Sequence, residues 1–284
     1  NGKFNGLQSY WNESGNKAEE KNYTNGKQEG LWTKFFEKTG IKKEETFYKD
    51  GVQQGLWTEW YSDGQKKRER NFSGGERDSV WTTWYKNGNK KLQATYLNGK
   101  LNGKYTSWFD GGIIKEKDGD YLENKKHNKW TYWSNKGQKI EEINYDSGTH
   151  NGDHIKWFDD KNDQHKIFHV TYENGEKNGL WHYWYSSGLD SIKSHYKNGK
   201  KDGHWVWWRK NGLKDKEGFY KNETKHGVWI VWNDSTGKAY HKLHQETFVD
   251  GKIDGQVTKW YKEGKIDRQG IMRGNEKEGE WTYW

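Results

Sequence analysis

At 284 residues the chain is long enough for one or two ordinary domains. Only 29% of it is hydrophobic and 32% charged, fractions that alone point to disorder, yet 20 Trp, 18 Tyr and 10 Phe make it 17% aromatic, and each ring can bury on the order of 150–250 Å². The absence of cysteine excludes disulfides, thiolate metal sites and cysteine nucleophiles, while the +8 net charge is interspersed (49 basic and 41 acidic residues) and selects no partner.

Taken in chain order, one phrase recurs. It opens at Gly6 and returns at Gly30, Gly55, Ser79, Gly103, Asn128, Gly152, Gly179, Gly203, Gly227 and Gly255, with a truncated copy at Gly279. The steps are 24 or 25 residues, except 27 after Gly152 and 28 after Gly227. A fixed period of this length marks a repeat architecture. In the copy that starts at Gly55, the aromatic run over 56–61 predicts a strand. Ser62-Asp63-Gly64-Gln65 predicts a tight hairpin turn, 66–72 a charged second strand, and 73–78 a second turn into the next phrase. Helix is excluded because turn signals arrive every 10–13 residues and no 3.6-residue apolar face is sustained. The absence of proline suits a sheet whose backbone donors are in use.

Superimposing the copies sorts the rings into columns. The first holds Trp32, Trp57, Trp81, Tyr105, Trp130, His154, Trp181, Trp205, Trp229, Val257 and Trp281. The second lies three residues later and includes Trp60, Trp84, Trp184 and Trp208; the third closes the charged strand with Phe72, Tyr96, Tyr196, Tyr220 and their equivalents. Nineteen of the 20 tryptophans occupy the first two columns, and Trp207 alone is left over. Alternation along a strand sends the first two columns to opposite faces. Equivalent rings two strands apart are separated by about 9–10 Å, a gap the third column fills if it shares their face. The expected fold is all-β: an elongated single-sheet antiparallel meander of about eleven hairpin repeats, one continuous array over 1–284, shaped as a half-pipe or rod about 100 Å long. Asn1 falls in a turn and Trp284 within a strand, so the chain reads as a window on a longer array or a processed region.

The pattern Gly-x-Trp-x-x-Trp-Tyr-x-x-Gly followed by Tyr-x-Asn-Gly-Lys-x-x-Gly resembles the MORN repeat, in particular its bacterial variant that carries an antitoxin-type family label. Tyr96-Leu97-Asn98-Gly99-Lys100-Leu101-Asn102-Gly103 and the matching run from Tyr196 to Gly203 carry the resemblance best, and it covers essentially the whole chain. It implies an extended antiparallel sheet acting as a scaffold, a protein-interaction surface or a lipid-associating module. Departures fall at Gln8, His154 and Val257 in the first column, at Asn124-Lys125 and Asn222-Glu223 in the turns, and in two lengthened hairpins over 159–165 and 233–243.

No constellation of catalytic residues emerges, and no enzyme, cofactor or metal is expected. His127, His150 and His226 read as solvated turn residues. His241 and His244 form the one close histidine pair, but the spacing specifies no third metal ligand. Asp159, Asp160 and Asp163 resemble part of a calcium loop, but Lys161 stands where an oxygen ligand is needed. Paired carboxylates such as Glu44-Glu45 and Glu141-Glu142 read as cross-strand charge partners. The near-equal acidic count argues against nucleic acid. The expected function is a non-enzymatic repeat scaffold for protein–protein interaction in a bacterial cell-surface or secreted assembly. Glycan or lipid-surface binding, and a cytoplasmic antitoxin-type role, are the alternatives. The irregular positions His154, Asp159, Asp160, Asp163, His241 and His244 are the candidate contact residues. No apolar stretch reaches the roughly 18–20 residues of a membrane span.

Overall fold

The computed structural model describes residues 2–159, 165–233 and 240–284; Asp160 and Asp163 lie outside them. The described residues form 24 strands and no helix. They fall into two compact units, Asn1–Lys139 with Tyr145–Gly148, and Ile140–Asn144 with Thr149–Trp284. Unit 1 contains β1 (Gly6–Trp11), β2 (Lys17–Thr24), β3 (Lys27–Phe35), β4 (Lys42–Lys49), β5 (Val52–Trp60), β6 (Lys66–Ser73), β7 (Glu76–Trp84), β8 (Lys90–Leu97), β9 (Lys100–Trp108), β10 (Lys115–Leu122) and β11 (Lys125–Trp133). The division between units falls within β12 (Lys139–Asp146). Unit 2 continues with β13 (Thr149–Trp157), β14 (Lys166–Glu173), β15 (Glu176–Trp184), β16 (Asp190–Lys197), β17 (Lys200–Lys201), β18 (Gly203–Trp208) and β19 (Lys214–Lys221). It ends with β20 (Thr224–Trp232), β21 (Lys242–Val249), β22 (Lys252–Trp260), β23 (Ile266–Arg273) and β24 (Glu276–Tyr283).

Within each unit the strands pair antiparallel with their neighbours in sequence, as a meander. Two kinds of turn alternate. The longer one closes as the sequence predicts: the Tyr61 N–H donates to Gln65 O (2.8 Å), Gly64 N–H to Tyr61 O (3.0 Å), and the Gln65 N–H to Asp63 Oδ1 (3.0 Å). The other is shorter than expected. It occupies two residues rather than the span 73–78, so β7 already begins at Glu76. Both central residues hold positive φ, as in Asn98-Gly99 (47° and 76°), which is the turn type whose twist matches paired strands. The copies lacking Asn-Gly keep this geometry at Glu123-Asn124 and Asn222-Glu223, so the first departure sits one residue earlier than the sequence pattern suggests.

The residue that leads each phrase is therefore not in a turn. It lies within a strand, or opens one at Gly6 and Gly203, at positive φ, and Ser79 (54°) and Asn128 (56°) adopt the same conformation where glycine is missing. Register explains it. Glu217 pairs with Ile230 and Phe219 with His226, so Gly227, Val228 and Trp229 stand opposite the single residue Gly218. The junction between repeats is thus a bulge of three residues against one, which bends the strand and leaves backbone groups without ladder partners. The first-column indole fills that vacancy. Trp229 Nε1–H donates to Phe219 O at 3.0 Å, and Trp32, Trp81, Trp130, Trp181, Trp205 and Trp281 each reach the carbonyl ten residues earlier at 2.9–3.1 Å. A phenyl ring has no such donor, which gives a physical reason for tryptophan in this column. Trp57 departs from the rule: its indole donates to Glu44 Oε1 (3.0 Å), and the Arg70 guanidinium stacks between Trp57 and Trp81 at 4.6 and 4.8 Å.

Columns one and three share a face and interleave. Ring centroids run Tyr23–Trp32 5.5 Å and Trp32–Tyr48 4.9 Å in unit 1, and Tyr172–Trp181, Trp181–Tyr196, Tyr196–Trp205 and Trp205–Tyr220 at 5.1–5.4 Å in unit 2. Rings at these separations in tilted or edge arrangements contribute about 0.5–1.5 kcal/mol per pair beyond their burial. Trp207 joins the same ladder, 5.4 Å from Trp205 and 5.9 Å from Trp229. Trp81, Trp130, Trp181, Trp205 and Trp229 are all buried.

Candidate interaction surface

In six repeats a cation covers the ladder face. Arg77, Lys126, Lys177, Lys201, Lys225 and Lys277 sit four residues before a first-column tryptophan and lay their charge 4.4–5.4 Å from its ring. Cation and ring attract through the quadrupole of the indole, and the aliphatic stem covers apolar surface. His150, expected in a turn, lies instead in β13 at the equivalent position and contacts His154 (5.6 Å) and Tyr172 (5.1 Å). His127 and His226 likewise lie in β11 and β20. Burial pushes the phenols of Tyr105 and Tyr183 up to about 12, and raises those of Tyr121, Tyr172, Tyr196 and Tyr220. These rings are half-buried between the tryptophans of the ladder.

The opposite face is divided lengthwise. Thr33, Thr58, Thr82, Ser107 and Thr131 are buried beneath it. The second column is partly covered by the first lysine of a charged strand, as with Lys66 over Trp84 (6.0 Å) and Lys115 over Trp133 (5.6 Å). The tyrosine after the second column ties one repeat to the next: Tyr61 OH donates to Trp84 O and Tyr85 OH to Trp108 O, both at 2.9 Å. Next to the bulges the side chains stand open. Leu7 (57% exposed), Leu31 (50%), Phe47 (38%), Leu56 (53%) and Val80 (48%) recur at one height across unit 1. Leu31 pairs directly with Phe47, while Asn22 and Asn71 stand opposite Leu7 and Leu56. Lys104 occupies the next such position and pairs with Asp120 (3.1 Å), so the apolar row ends there.

The irregular positions are not assembled into a single site. His154 takes the first-column place, bonds Glu141 through Nε2 (2.9 Å) and packs edge-on against Phe168 (4.8 Å), while its Nδ1 is buried with no hydrogen-bond partner among the described residues. Asp159 lies two residues beyond the end of β13. His241 and His244 are held apart by different partners. The His241 imidazole contacts Asn233 (3.3 Å) and Tyr261 O (3.2 Å), whereas His244 faces Glu246 at 3.8 Å. Among the described residues no group of three or more His, Cys, Asp or Glu side chains is placed to hold a metal ion. Nor is any helix among them long and apolar enough to cross a membrane. The bulge residues, the cation column and the open row do not emerge from the sequence pattern alone. A signal for the cations is nonetheless present in the recurring basic residue two places before the lead glycine.

No protein-family model and no curated protein matches the chain. It is similar to segments of solved structures, among them the crystal structure of TcdB2-TccC3 (12% identity, TM-score 0.21) and that of TcdB2-TccC3-Cdc42 (13%, TM-score 0.19). Each match covers 98% of this chain, which spans 16% of the matched chain. Similarity at that level carries no argument about function.

Burial pushes the imidazoles of His182 and His244 below the ordinary histidine value, although His182 hydrogen-bonds Asp190 (2.7 Å) and Glu246 faces His244. A folded value below the unfolded 6.5 means that the unfolded chain binds more protons in that window. Their contribution is therefore present above pH 6.5 and is lost as pH falls through the depressed folded values. Melting curves should show unit 2 weakening on mild acidification, and the double variant His182→Gln, His244→Gln should flatten that slope. An unchanged slope would assign the acid sensitivity elsewhere.

Proposed function

We propose that the chain is a non-enzymatic repeat scaffold of the MORN type, which binds a protein partner across the face opposite its aromatic ladder in a bacterial surface or secreted assembly. The observation that carries this reading is the open apolar row Leu7, Leu31, Phe47, Leu56 and Val80. Scattered exposed apolar residues are ordinary, but a row at one height on successive repeats, beside a core already filled from the other face, has the character of a contact surface. The buried ladder rings weigh against glycan stacking as the main activity.

A photo-crosslinking residue at Leu56 tests the reading. It should capture a defined protein in the native host, and the double variant Leu31→Lys, Leu56→Lys should lower capture by about tenfold, as expected where interface anchors are lost. Both side chains are exposed, so circular dichroism and thermal melting should be unaltered. Undiminished capture by the double variant would remove the row from the interface.

A further inference from the structure

In unit 2 the row changes character. Two adjoining cavities of about 610 and 530 Å³ lie across the bulges of successive repeats and share Lys197, Asp202 and Gly203. The larger is bordered by Lys197, Lys200 and Lys221, with Phe219 and His226 in its lining. All three lysines are exposed and none has an ion-pair partner among the described residues. Two of the nearby carboxylates are hydrogen-bonded to the backbone, and Asp202 lines both cavities. Asp202 Oδ2 accepts the Asn222 backbone N–H (3.2 Å), and Glu223 accepts the Lys201 backbone N–H and pairs with its ammonium at 3.9 Å. Glu176 lies beside Gly199 in the hairpin that carries Lys200. The His226 Nδ1 is buried with no partner among the described residues.

We infer that this groove binds an extended acidic peptide segment, which rests on the reading of the chain as a protein-binding scaffold. Three such ammonium groups around one open groove create an attractive potential for carboxylates. The two cavities run together across repeats, so the fitting ligand is extended rather than a compact ion. Gly203 and Gly227 border the groove without side chains, and a flat backbone can approach there. A single-stranded nucleic acid would stack its bases on open ring faces, and an acidic glycan is told apart by the test below. Tyr220 is wedged between Trp205 (5.4 Å) and Trp229 (5.0 Å), and Phe219, though 45% exposed, has one face taken by His204 (4.6 Å, 25°), so of these two rings only Phe219 presents an open face.

Fluorescence anisotropy with a labelled decaglutamate peptide, on the full chain, tests the assignment. Saturable binding that weakens with salt is expected, together with about a tenfold loss in the triple variant Lys197→Gln, Lys200→Gln, Lys221→Gln. A control of equal charge change, Lys3→Gln, Lys49→Gln, Lys86→Gln, should bind as the parent does. If the triple variant fails to fold, Lys200→Glu at the hairpin tip gives the same reading. Absence of peptide binding, equal loss in both triple variants, or tighter binding of a galacturonic-acid decamer would each overturn the assignment. Crosslinking at Leu56 is independent of this groove, so its success beside a failed peptide assay removes the groove alone, and its failure removes the scaffold reading.

Discussion

Replacing Trp130 with alanine is expected to destabilise unit 1 by about 3–5 kcal/mol, the range for removing a large buried ring. Trp130 is fully buried, with ring contacts to Tyr105 (5.7 Å) and Tyr121 (4.9 Å), and its Nε1–H donates to Asp120 O at 2.9 Å. Alanine would remove those contacts and strand the carbonyl that the bulge leaves unpaired. Trp130→Phe separates the two losses. It keeps most of the ring but not the donor, so it should cost about 1–3 kcal/mol, the penalty for a buried group deprived of its hydrogen bond. Denaturant titration followed by near-ultraviolet circular dichroism checks both. A Phe variant as stable as the parent would mean that water or another group serves the Asp120 carbonyl, and the indole donor would then not be what selects tryptophan in this column.

Gly218→Ala should cost about 1–3 kcal/mol, the usual range for overpacking. A Cβ built on Gly218 would stand 2.2 Å from Trp229 Cδ2 and 2.3 Å from Cε2, far inside contact distance. Val170 and Ser194 hold the equivalent place ahead of Trp181 and Trp205, so the array can be built around a Cβ there. In the Gly218 repeat, however, the ring has moved into the freed space and is pinned by Phe219 O. The cost is that of moving it back. A melting temperature equal to the parent's would show that the indole slides without loss.

Much of this architecture is legible in residue order, for reasons that differ between elements. The strands and the longer turns announce themselves because Asp63-Gly64 and its equivalents carry local signals that need no tertiary context. The interleaving of Tyr96 and Tyr196 with the tryptophans does not, since its face depends on turn length. The lead glycine is ambiguous in sequence because glycine permits positive φ in a turn and in a bulge alike. Ser79 and Asn128 at the same place, where a turn of two residues has already closed, mark it as a bulge. The candidate contact residues are less legible. Irregularity at His154, His241 and His244 suggests function, yet each has its own structural partners. The open row escapes notice because Leu31 or Val80 in a strand looks like core until the opposite face is known to be full.

The bonds between repeats also set a counting rule for the chain. Tyr61, Tyr85, Tyr185 and Tyr261 each donate to a carbonyl 23 residues ahead, and the first-column indoles to one ten residues behind. Removing one complete copy brings equivalent donors and acceptors back together. Removing a single strand reverses chain direction and leaves both kinds of donor facing the wrong neighbour. Each unit can therefore gain or lose strands only two at a time, and every such step adds or removes one complete set of these donors and acceptors.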